Sequence, residues 1–454
     1  MKFKRLIDSP ERQIIDRLNE AGYSGFFVGG CVRDVLMGRE FGDIDITTGA
    51  RPEETEHVFA DCKVIQTGLA HGTVTVIYMN RSVEITTFRR ESEYSDMRHP
   101  DKVSFVKDVT EDLARRDFTM NAIAMDSDGN LTDPFGGASD IEKRIIRAVG
   151  NPQARFEEDA LRIMRGIRFA AQLGFDIDET TEEAMYECSD NLRNISAERI
   201  YVEFKKLVIG EYAGRAIRKY VDILGVVIPY IKALDGFSQH NPNHKYDVLG
   251  HCIRCMQNLR VTDSNREYMR LAALFHDIGK PETFALDDKG IGHCFGHPEV
   301  SAEHVEEILR GLKADSFTIN RVVTLVRYHD LLFKEDEVLL KKWLNKFGPE
   351  LLYEILELKR ADNLAIGCDV TRLIAMFDRV KLMIDKIIDE GQCFRIGDLK
   401  VNGNDIMKCC NVTGVHVGRI LNELLLQVMG SKVANEKAPL LEEAMRIKQR
   451  ILSE

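Results

Sequence analysis

Two aspartates separated by one isoleucine are the first residues of this chain whose types and spacing suggest chemistry. Asp43 and Asp45 belong to the run 43–46, which reads DIDI. Alternate side chains of a β-strand emerge on the same face, so the run predicts a strand with both carboxylates on one side. A solvent-exposed strand edge is the alternative for such a pair on its own. Neighbouring carboxylates repel each other without a cation, and Mg²⁺ binds one or two carboxylates together with water and phosphate oxygens. The run therefore indicates a magnesium site.

A pair of glycines precedes these aspartates. Gly29 and Gly30 follow the apolar run 26–28, and Arg33 comes shortly after them. Because glycine has no Cβ, a triphosphate can approach the backbone N–H groups closely at such a pair. With the positive charge of Arg33, the segment predicts a site for nucleotide phosphates.

Glu84 is the acidic residue of the strand-like run 83–88. If this strand lies beside the strand of Asp43 and Asp45, Glu84 is the third carboxylate of a site for two metal ions. The alternative is that Glu84 is an ordinary exposed strand residue.

The segment 115–122 reads RRDFTMNA and combines arginines with a spaced Asp–Asn pair. Arg116 suits contact with a triphosphate. Asp117 and Asn121 are four positions apart, which predicts one helical face able to hydrogen-bond a ribose hydroxyl. We expect Phe118 to point the other way and pack in the core.

A polar series follows on the predicted helix 152–173. Asp159, Arg162 and Arg165 recur at three-residue spacing beside an apolar stripe. A series of this kind is typical of a solvated row of ion pairs. An Asp and an Arg can also imitate a base edge, because the carboxylate accepts from an exocyclic amine and the guanidinium donates to ring acceptors.

Residues 236–365 carry an independent set of histidines and aspartates. Imidazole and carboxylate ligands together favour Mn²⁺, Fe²⁺, Ni²⁺ or Zn²⁺ over Mg²⁺, and two such ions can hold a phosphate and activate water. Lys280 comes three residues after Asp277 of the adjacent pair His276–Asp277 and is placed to neutralise a phosphate that bridges two metal ions. The set in chain order is His251, His276, Asp277, His297, His329 and Asp362.

These motifs carry two family resemblances. The GG-x-VRD segment followed by D-x-D, with RRDFTxNA further on, resembles the head of class II nucleotidyltransferases. These are the tRNA CCA-adding enzymes and bacterial poly(A) polymerases of the polymerase β-like superfamily. The H…HD…H…H…D order resembles the HD superfamily of metal-dependent phosphohydrolases. Together the resemblances cover nearly the whole chain.

The resemblance implies an α/β polymerase-β-like nucleotidyltransferase head followed by an all-α neck, an HD domain and a helical tail. The implied domains are 1–148 for the head, 149–235 for the neck, 236–365 for the HD domain and 366–454 for a tail that binds tRNA. In the tail, a glycine-rich turn before the predicted helix 419–429 suits contact with phosphate.

The implied activity is addition of C, C and A to the 3′ end of tRNA from CTP and ATP. The resemblance implies that Asp43, Asp45 and Glu84 are the catalytic carboxylates and hold Mg²⁺. It also implies that the E-D-x-x-R motif of Asp159 and Arg162 pairs with the incoming base. The partners are ATP, CTP and the acceptor end and elbow of tRNA. The implied nucleotide-binding residues are Gly29, Gly30, Arg33, Arg116, Asp117, Asn121, Asp159, Arg162 and Arg165.

Three alternatives stay open. The polar segment 89–104 predicts a long loop, and in the resembled family such a loop accompanies addition of the terminal adenosine. It excludes an enzyme that adds only the two cytidines, but not an A-adding enzyme or a poly(A) polymerase. A second alternative is an HD phosphohydrolase with a nucleotide-binding head. The third is an RNA chaperone without enzymatic activity.

Composition limits the remaining choices. The 454 residues are too many for one core, and no apolar run approaches the ~20 residues of a membrane span. Ten scattered cysteines suit reduced thiols, so we expect a cytoplasmic protein. The net charge of −11 argues mildly against nucleic acid as a partner, although basic clusters occur locally. The oligomeric state is left open.

Overall fold

The computed structural model of the protein describes residues 4–68, 72–92, 102–242 and 244–453. The chain forms two compact units, one of residues 1–232 with 311–314 and one of residues 233–310 with 315–454. None of the helices in the described part of the chain is long and apolar enough to cross a membrane. The finer division into four domains stays a prediction.

The first unit opens with a mixed α/β region. Its elements are α1 (Lys4–Ile7), α2 (Arg12–Glu20), β1 (Gly25–Val28), α3 (Gly30–Leu36), β2 (Asp45–Thr48), α4 (Pro52–Val58), β3 (Lys63–Gly68), β4 (Thr73–Tyr78), β5 (Arg81–Thr87), β6 (Arg89–Ser92), β7 (Lys102–Phe105), α5 (Val109–Ala114), β8 (Ala124–Met125), β9 (Leu131–Thr132) and α6 (Gly137–Lys143).

Seven of these strands form one sheet in the order β3-β4-β5-β2-β1-β8-β9. Strands β2 and β5 are parallel neighbours, and Asp45 lies opposite Glu84 in their register. The predicted adjacency of the two strands is therefore confirmed.

Strand β2 begins at Asp45, later than predicted, and Asp43 lies in the bend before it. The reason is that β1 ends at Val28, which is the partner of Asp45, so no strand residue remains opposite Asp43. The predicted alternation nevertheless holds. Ile44 and Ile46 are buried, whereas both aspartates are exposed.

The predicted loop 89–104 has paired ends. Strands β6 and β7 form an antiparallel pair with Arg89 opposite Phe105 and Ser92 opposite Lys102. The pairing corrects the prediction of a loop over the whole segment. Residues 93–101 lie outside the described residues.

The rest of the first unit is mainly helical, as the sequence predicted. Its elements are β10 (Ile145–Ile146), α7 (Pro152–Glu158), α8 (Leu161–Leu173), β11 (Asp176–Ile177), α9 (Glu179–Glu187), α10 (Ala197–Val208), α11 (Ala213–Lys219), α12 (Val221–Val227) and α13 (Pro229–Lys232).

The prediction of a single helix over 152–173 is wrong, because the helix is interrupted at Asp159. This residue has φ −147° and ψ 99°, and its side chain accepts a hydrogen bond from the backbone N–H of Leu161 at 3.1 Å. A short carboxylate that bonds the backbone competes with helical hydrogen bonds, which explains the break.

The second unit consists, in its described residues, of helices and one β-hairpin. Its elements are α14 (Val248–Asn258), α15 (Arg266–Phe275), α16 (Lys280–Thr283), β12 (Phe284–Leu286), β13 (Gly292–Cys294), α17 (His297–Gly311), α18 (Ser316–Arg327), α19 (Glu337–Ala365), α20 (Thr371–Asp389), α21 (Gly403–Cys410), α22 (Val415–Met429) and α23 (Lys437–Ser453).

Helix α22 begins four residues before the position predicted from sequence. Gly414 precedes it with φ 60°, a left-handed conformation that favours glycine, so the predicted glycine-rich turn forms the first helical turn.

Candidate active site and metal centre

The acidic residues of the first site lie where the backbone turns at Gly29. This glycine has φ 76°, and a Cβ built on it would lie 3.2 Å from Nη1 of Arg116 and 3.8 Å from Oδ2 of Asp45. The missing side chain thus leaves space beside both charged groups. Asp45 is exposed as a residue, but the protein atoms around its carboxylate partly desolvate it and raise its pKa above the ordinary value. Arg116 lowers this pKa, and Glu84 and Asp43 raise it. A cation beside these carboxylates would relieve their repulsion.

Arg116 is held by a buried aspartate that the sequence analysis did not single out. Asp112 is fully buried, and its carboxylate accepts from Nε of Arg115 at 2.9 Å and from Nη2 of Arg116 at 3.5 Å. Thr47 also donates to it at 3.4 Å, from the strand of Asp45. The spacing of Asp112 before the two arginines, at three and four positions, was the available signal.

Asp117 and Asn121 lie side by side as predicted, but the prediction that one helix carries both of them is wrong. Phe118 between them is extended, with φ −127° and ψ 148°, and only the following residues 119–121 form a 3₁₀ turn. Nδ2 of Asn121 still donates to Oδ1 of Asp117 at 3.2 Å. Phe118 is fully buried, as predicted.

A chain of hydrogen bonds connects these residues to two predicted arginines. Arg33 donates to Oδ1 of Asn121 at 2.9 Å, and Arg165 donates to Oδ2 of Asp117 at 2.7 Å. Burial opposes ionisation of Asp117, but Arg165 and Asn121 hold its pKa far below the ordinary value. The carboxylate therefore stays charged and orients both neighbours.

Phe169 and Glu203 complete this cluster and were missed from sequence. The guanidinium of Arg168 lies 3.8 Å from the centroid of the Phe169 ring, and those of Arg33 and Arg165 lie 5.3 and 5.6 Å from it. The carboxylate of Glu203 accepts a hydrogen bond from Arg168 at 2.5 Å. Three guanidinium groups thus converge on one aromatic ring.

Asp159 and Arg162 have separate partners in this structure. Oδ2 of Asp159 lies 2.7 Å from Nη2 of Arg199. Arg162 is buried and donates to Glu158 at 2.7 Å and to the carbonyl of Arg115 at 3.1 Å. The predicted common polar face of Asp159, Arg162 and Arg165 is therefore wrong, because the helix break at Asp159 turns its side chain towards Arg199.

The second site brings together all six predicted ligands. Oxygen or nitrogen atoms of His251, His276 and Asp277 lie within 4.8 Å of one another, as do those of Asp277, His297 and His329. Asp277 belongs to both groups. Oδ1 of Asp362 lies 2.9 Å from Nε2 of His251 and 3.6 Å from Nε2 of His276. The arrangement has room for two ions with Asp277 between them.

Three of the imidazoles present an unshared electron pair to this centre. The Nδ1 atoms of His276, His297 and His329 lie 2.8, 2.7 and 2.6 Å from the backbone carbonyls three residues earlier, so each donates its Nδ1–H. In the neutral form of each ring, Nε2 is then the unprotonated nitrogen, and it faces inward. Those of His297 and His329 lie 3.2 Å apart and close to Asp277. The unshared electron pairs of these two nitrogens and the carboxylate of Asp277 repel one another. A cation between them would be attracted to all three groups, which fits a metal centre.

His276 and His329 differ in the protonation state that their surroundings favour. Burial disfavours a charge on His276, but Asp277 raises the pKa of His276 well above its ordinary value. Burial and His276 lower the pKa of His329 to about 3. His329 therefore stays neutral, in the form that binds metal.

Lys280 and Gln239 border the centre. Nζ of Lys280 lies 2.6 Å from Oδ2 of Asp277 and donates to Oε1 of Gln239 at 2.8 Å. The buried Nε2 of Gln239 has no hydrogen-bond partner among the residues that the structure describes. His293 and His304 pair instead with Asp287 and Glu282, at 3.0 and 2.8 Å.

Comparison with known proteins agrees with this fold. Residues 25–147 match the family described as "Poly A polymerase head domain". Residues 174–234 match the "Probable RNA and SrmB- binding site of polymerase A", and residues 293–444 match "tRNA nucleotidyltransferase domain 2".

Individual relatives match either part or nearly all of the chain. A CCA-adding enzyme of Geobacillus sp. (strain WCH70) is 54% identical over 237 residues, 52% of this chain and 58% of that protein. One of Streptococcus suis (strain 05ZYH33) is 34% identical over 426 residues, 93% of each chain. The crystal structure of the Bacillus stearothermophilus CCA-adding enzyme in complex with CTP has a TM-score of 0.69 and 28% identity, over 98% of this chain and 99% of that one.

The fold and the first site thus define a nucleotidyltransferase with a polymerase-β-like head and a helical remainder. The match over nearly the whole length of both sequences is more specific. The chain belongs to the family of CCA-adding enzymes.

Removing metal from the second site is expected to destabilise the protein. After chelation, Mn²⁺ added at about 100 times its Kd should stabilise the folded state by about 2.7 kcal/mol. That corresponds to a rise in Tm of roughly 5–10 °C for a unit of this size, measured by calorimetry. The rise should persist in Asp45→Ala and His304→Ala. It should vanish in His276→Ala, and a rise of equal size in that variant would contradict the ligand assignment.

Proposed function

We propose that this protein adds C, C and A to the 3′ end of tRNA, with CTP and ATP as donors. The register that places Asp45 opposite Glu84, with Asp43 beside them, carries this proposal. Family membership supports it, and the CTP complex of the Bacillus stearothermophilus relative supports a nucleotide site in the same fold.

In this reaction the 3′-hydroxyl oxygen of the tRNA attacks the α-phosphorus, and the bond to the pyrophosphate breaks. Asp43, Asp45 and Glu84 would hold Mg²⁺, which supplies Lewis-acid activation of the hydroxyl and neutralises the pyrophosphate. Arg116, with its guanidinium at the Gly29 turn, would compensate the triphosphate charge.

The ribose and the base would contact the hydrogen-bonded cluster behind this turn. Asp117 and Asn121 offer an acceptor and an amide for a ribose hydroxyl, held in place by Arg33 and Arg165. Asp159 and Arg162 would read the base once they exchange their present partners for it. Their donors and acceptor match C and A but not U or G, which gives selection without a template.

The remaining assignments concern the acceptor RNA and the compartment. Helix α22, whose first turn exposes Val415 and follows Gly414, would contact the tRNA backbone with its N–H groups. All ten cysteines are described and free, which fits the reducing cytoplasm.

The carboxylate assignment is tested with tRNA lacking its last three, two or one nucleotides and each labelled nucleotide in turn. The wild-type protein should incorporate C, C and A, and neither U nor G. Asp45→Ala and Asp43→Ala should each reduce transfer by about 10³-fold or more without loss of tRNA binding, because both side chains are exposed and serve only the metal. Asp128→Ala, another exposed aspartate of the same unit, is the matched control. Transfer at more than a few per cent of the wild-type rate in either variant would refute the assignment.

We also propose that the second site hydrolyses phosphate esters. The observation in its favour is the double cluster around Asp277, whose inward Nε2 atoms fit metal ions. The six residues would hold two ions such as Mn²⁺ or Ni²⁺, which supply a nucleophilic hydroxide at neutral pH. Lys280 and the free amide N–H of Gln239 would bind oxygens of the phosphate.

The substrate that suits this chain is a blocked RNA 3′ end. A 2′,3′-cyclic phosphate or a 3′-phosphate occupies the hydroxyl that nucleotide addition requires. Water would add to phosphorus, and one ester P–O bond would break with release of the ribose hydroxyl.

Hydrolysis is tested with the double variant His276→Ala, Asp277→Ala. It should lose all hydrolysis of 2′,3′-cyclic AMP and p-nitrophenyl phosphate in Mn²⁺ or Ni²⁺, because it lacks the shared ligand and its neighbour. Addition of C, C and A in Mg²⁺ should be unaffected, and His304→Ala should retain both activities. A wild-type protein that binds no transition metal and cleaves neither substrate would show that the site is a scaffold.

A further inference from the structure

The second unit has a solvent-exposed aromatic ring, that of Phe295, close in the chain to a ligand of the proposed metal centre. Phe295 is 80% exposed. It connects β13, which ends at Cys294, with α17, which begins at the ligand His297. An exposed aromatic ring beside a polar site can stack on a flat partner group, because its π face is free to make an offset-stacked contact.

The ring is held on one face and open on the other. The imidazole of His293 stacks on Phe295 with centroids 5.3 Å apart and an interplanar angle of 6°. Nε2 of His293 lies 3.0 Å from Oδ2 of Asp287, which fixes the imidazole. The high exposure of Phe295 leaves its second face for a ligand.

The hairpin that carries this ring is tied to the metal centre. The backbone N–H of Gly292 donates to the carbonyl of His240 at 2.9 Å, and a Cβ on Gly292 would lie 2.1 Å from the carbonyl oxygen of Gln239. The side chain of that same Gln239 accepts from Lys280. On the other side of the ring, Nδ1–H of His297 donates to the carbonyl of Cys294. The ring thus has a defined place relative to the ligands.

Two of the ligands reach solvent. The side chains of His297 and Asp362 are each 14% exposed, whereas those of His276 and Asp277 are 0% and 1% exposed. His297, one of these two ligands, is only two residues from Phe295 in the chain.

We propose that Phe295 stacks on the nucleobase of the substrate, so that the second site selects nucleoside phosphates and RNA ends over phosphate esters without a base. The inference rests on the hydrolysis proposed above. Every base has a π face, so stacking favours nucleotides as a class without selecting a sequence.

The test compares adenosine 3′-phosphate with ribose 5-phosphate, which has no base. Phe295→Ala should raise the KM for adenosine 3′-phosphate about tenfold with little change in kcat, since the ring binds the base and not the phosphate. Ribose 5-phosphate kinetics should not change. Phe295→Trp should restore the KM, and Phe317→Ala, which removes another exposed phenylalanine of the unit, should have no effect.

Calorimetric binding of the same two compounds in the presence of Mn²⁺ gives a readout that does not need turnover. Phe295→Ala should weaken binding of adenosine 3′-phosphate alone. Equal effects on both compounds, or none on either, would overturn the stacking proposal. If the wild-type protein binds adenosine 3′-phosphate through Phe295 but hydrolyses nothing, the hydrolysis proposal fails while the stacking proposal stands.

Discussion

The parallel register of β2 and β5 is the constraint on which the first site depends. It places Asp45 directly opposite Glu84, an arrangement of like charges that destabilises a sheet unless positive charge is near. The surrounding structure supplies that charge. Strand β1 ends opposite Asp45, the chain turns at Gly29, and the turn leaves space for the guanidinium of Arg116. Asp112 then holds Arg116 from the buried side. The sheet thus builds an acidic site with a buried aspartate and a guanidinium beside it.

The second unit brings together a different set of candidate ligands, imidazoles together with carboxylates. Backbone carbonyls three residues earlier accept the Nδ1–H groups of its imidazoles and thereby fix which nitrogen faces the centre. Asp277 lies between the two histidine pairs. A carboxylate site prefers Mg²⁺ and a mixed imidazole–carboxylate site prefers transition metals, so the two sites of one chain would differ in the ion that each prefers. Nucleotide addition and hydrolysis of blocked ends are chemically complementary on such a chain.

Sequence periodicity predicted these features only where it contains the necessary information. Alternation around Asp45 followed from the period of a strand, and the ordered histidines predicted one cluster. The adjacency of the strand of Glu84 was a prediction about topology, which the register of β2 and β5 confirms. Interruptions of a helix and contacts between residues far apart in sequence could not be predicted from periodicity. The helix break at Asp159 depends on a side chain bonding its own backbone, and its ion pair with Arg199 joins residues 40 positions apart. Asp112 was missed because its role appears only when Thr47 and the two following arginines surround it. The local sequence pattern predicts which face of a helix or strand a residue occupies, whereas the tertiary structure determines which residues it contacts.

The central claim is that the pair Asp45 and Glu84 is a metal site created by strand register. Electron paramagnetic resonance of Mn²⁺ in the presence of CTP tests it directly, in the His276→Ala, Asp277→Ala background so that only the first site contributes. The account predicts that Asp45→Asn and Glu84→Gln each weaken Mn²⁺ binding by about tenfold or more, because each removes one anionic ligand. Glu53→Gln, an exposed glutamate of the same unit, should bind Mn²⁺ normally. Unchanged Mn²⁺ affinity in Glu84→Gln would contradict the account.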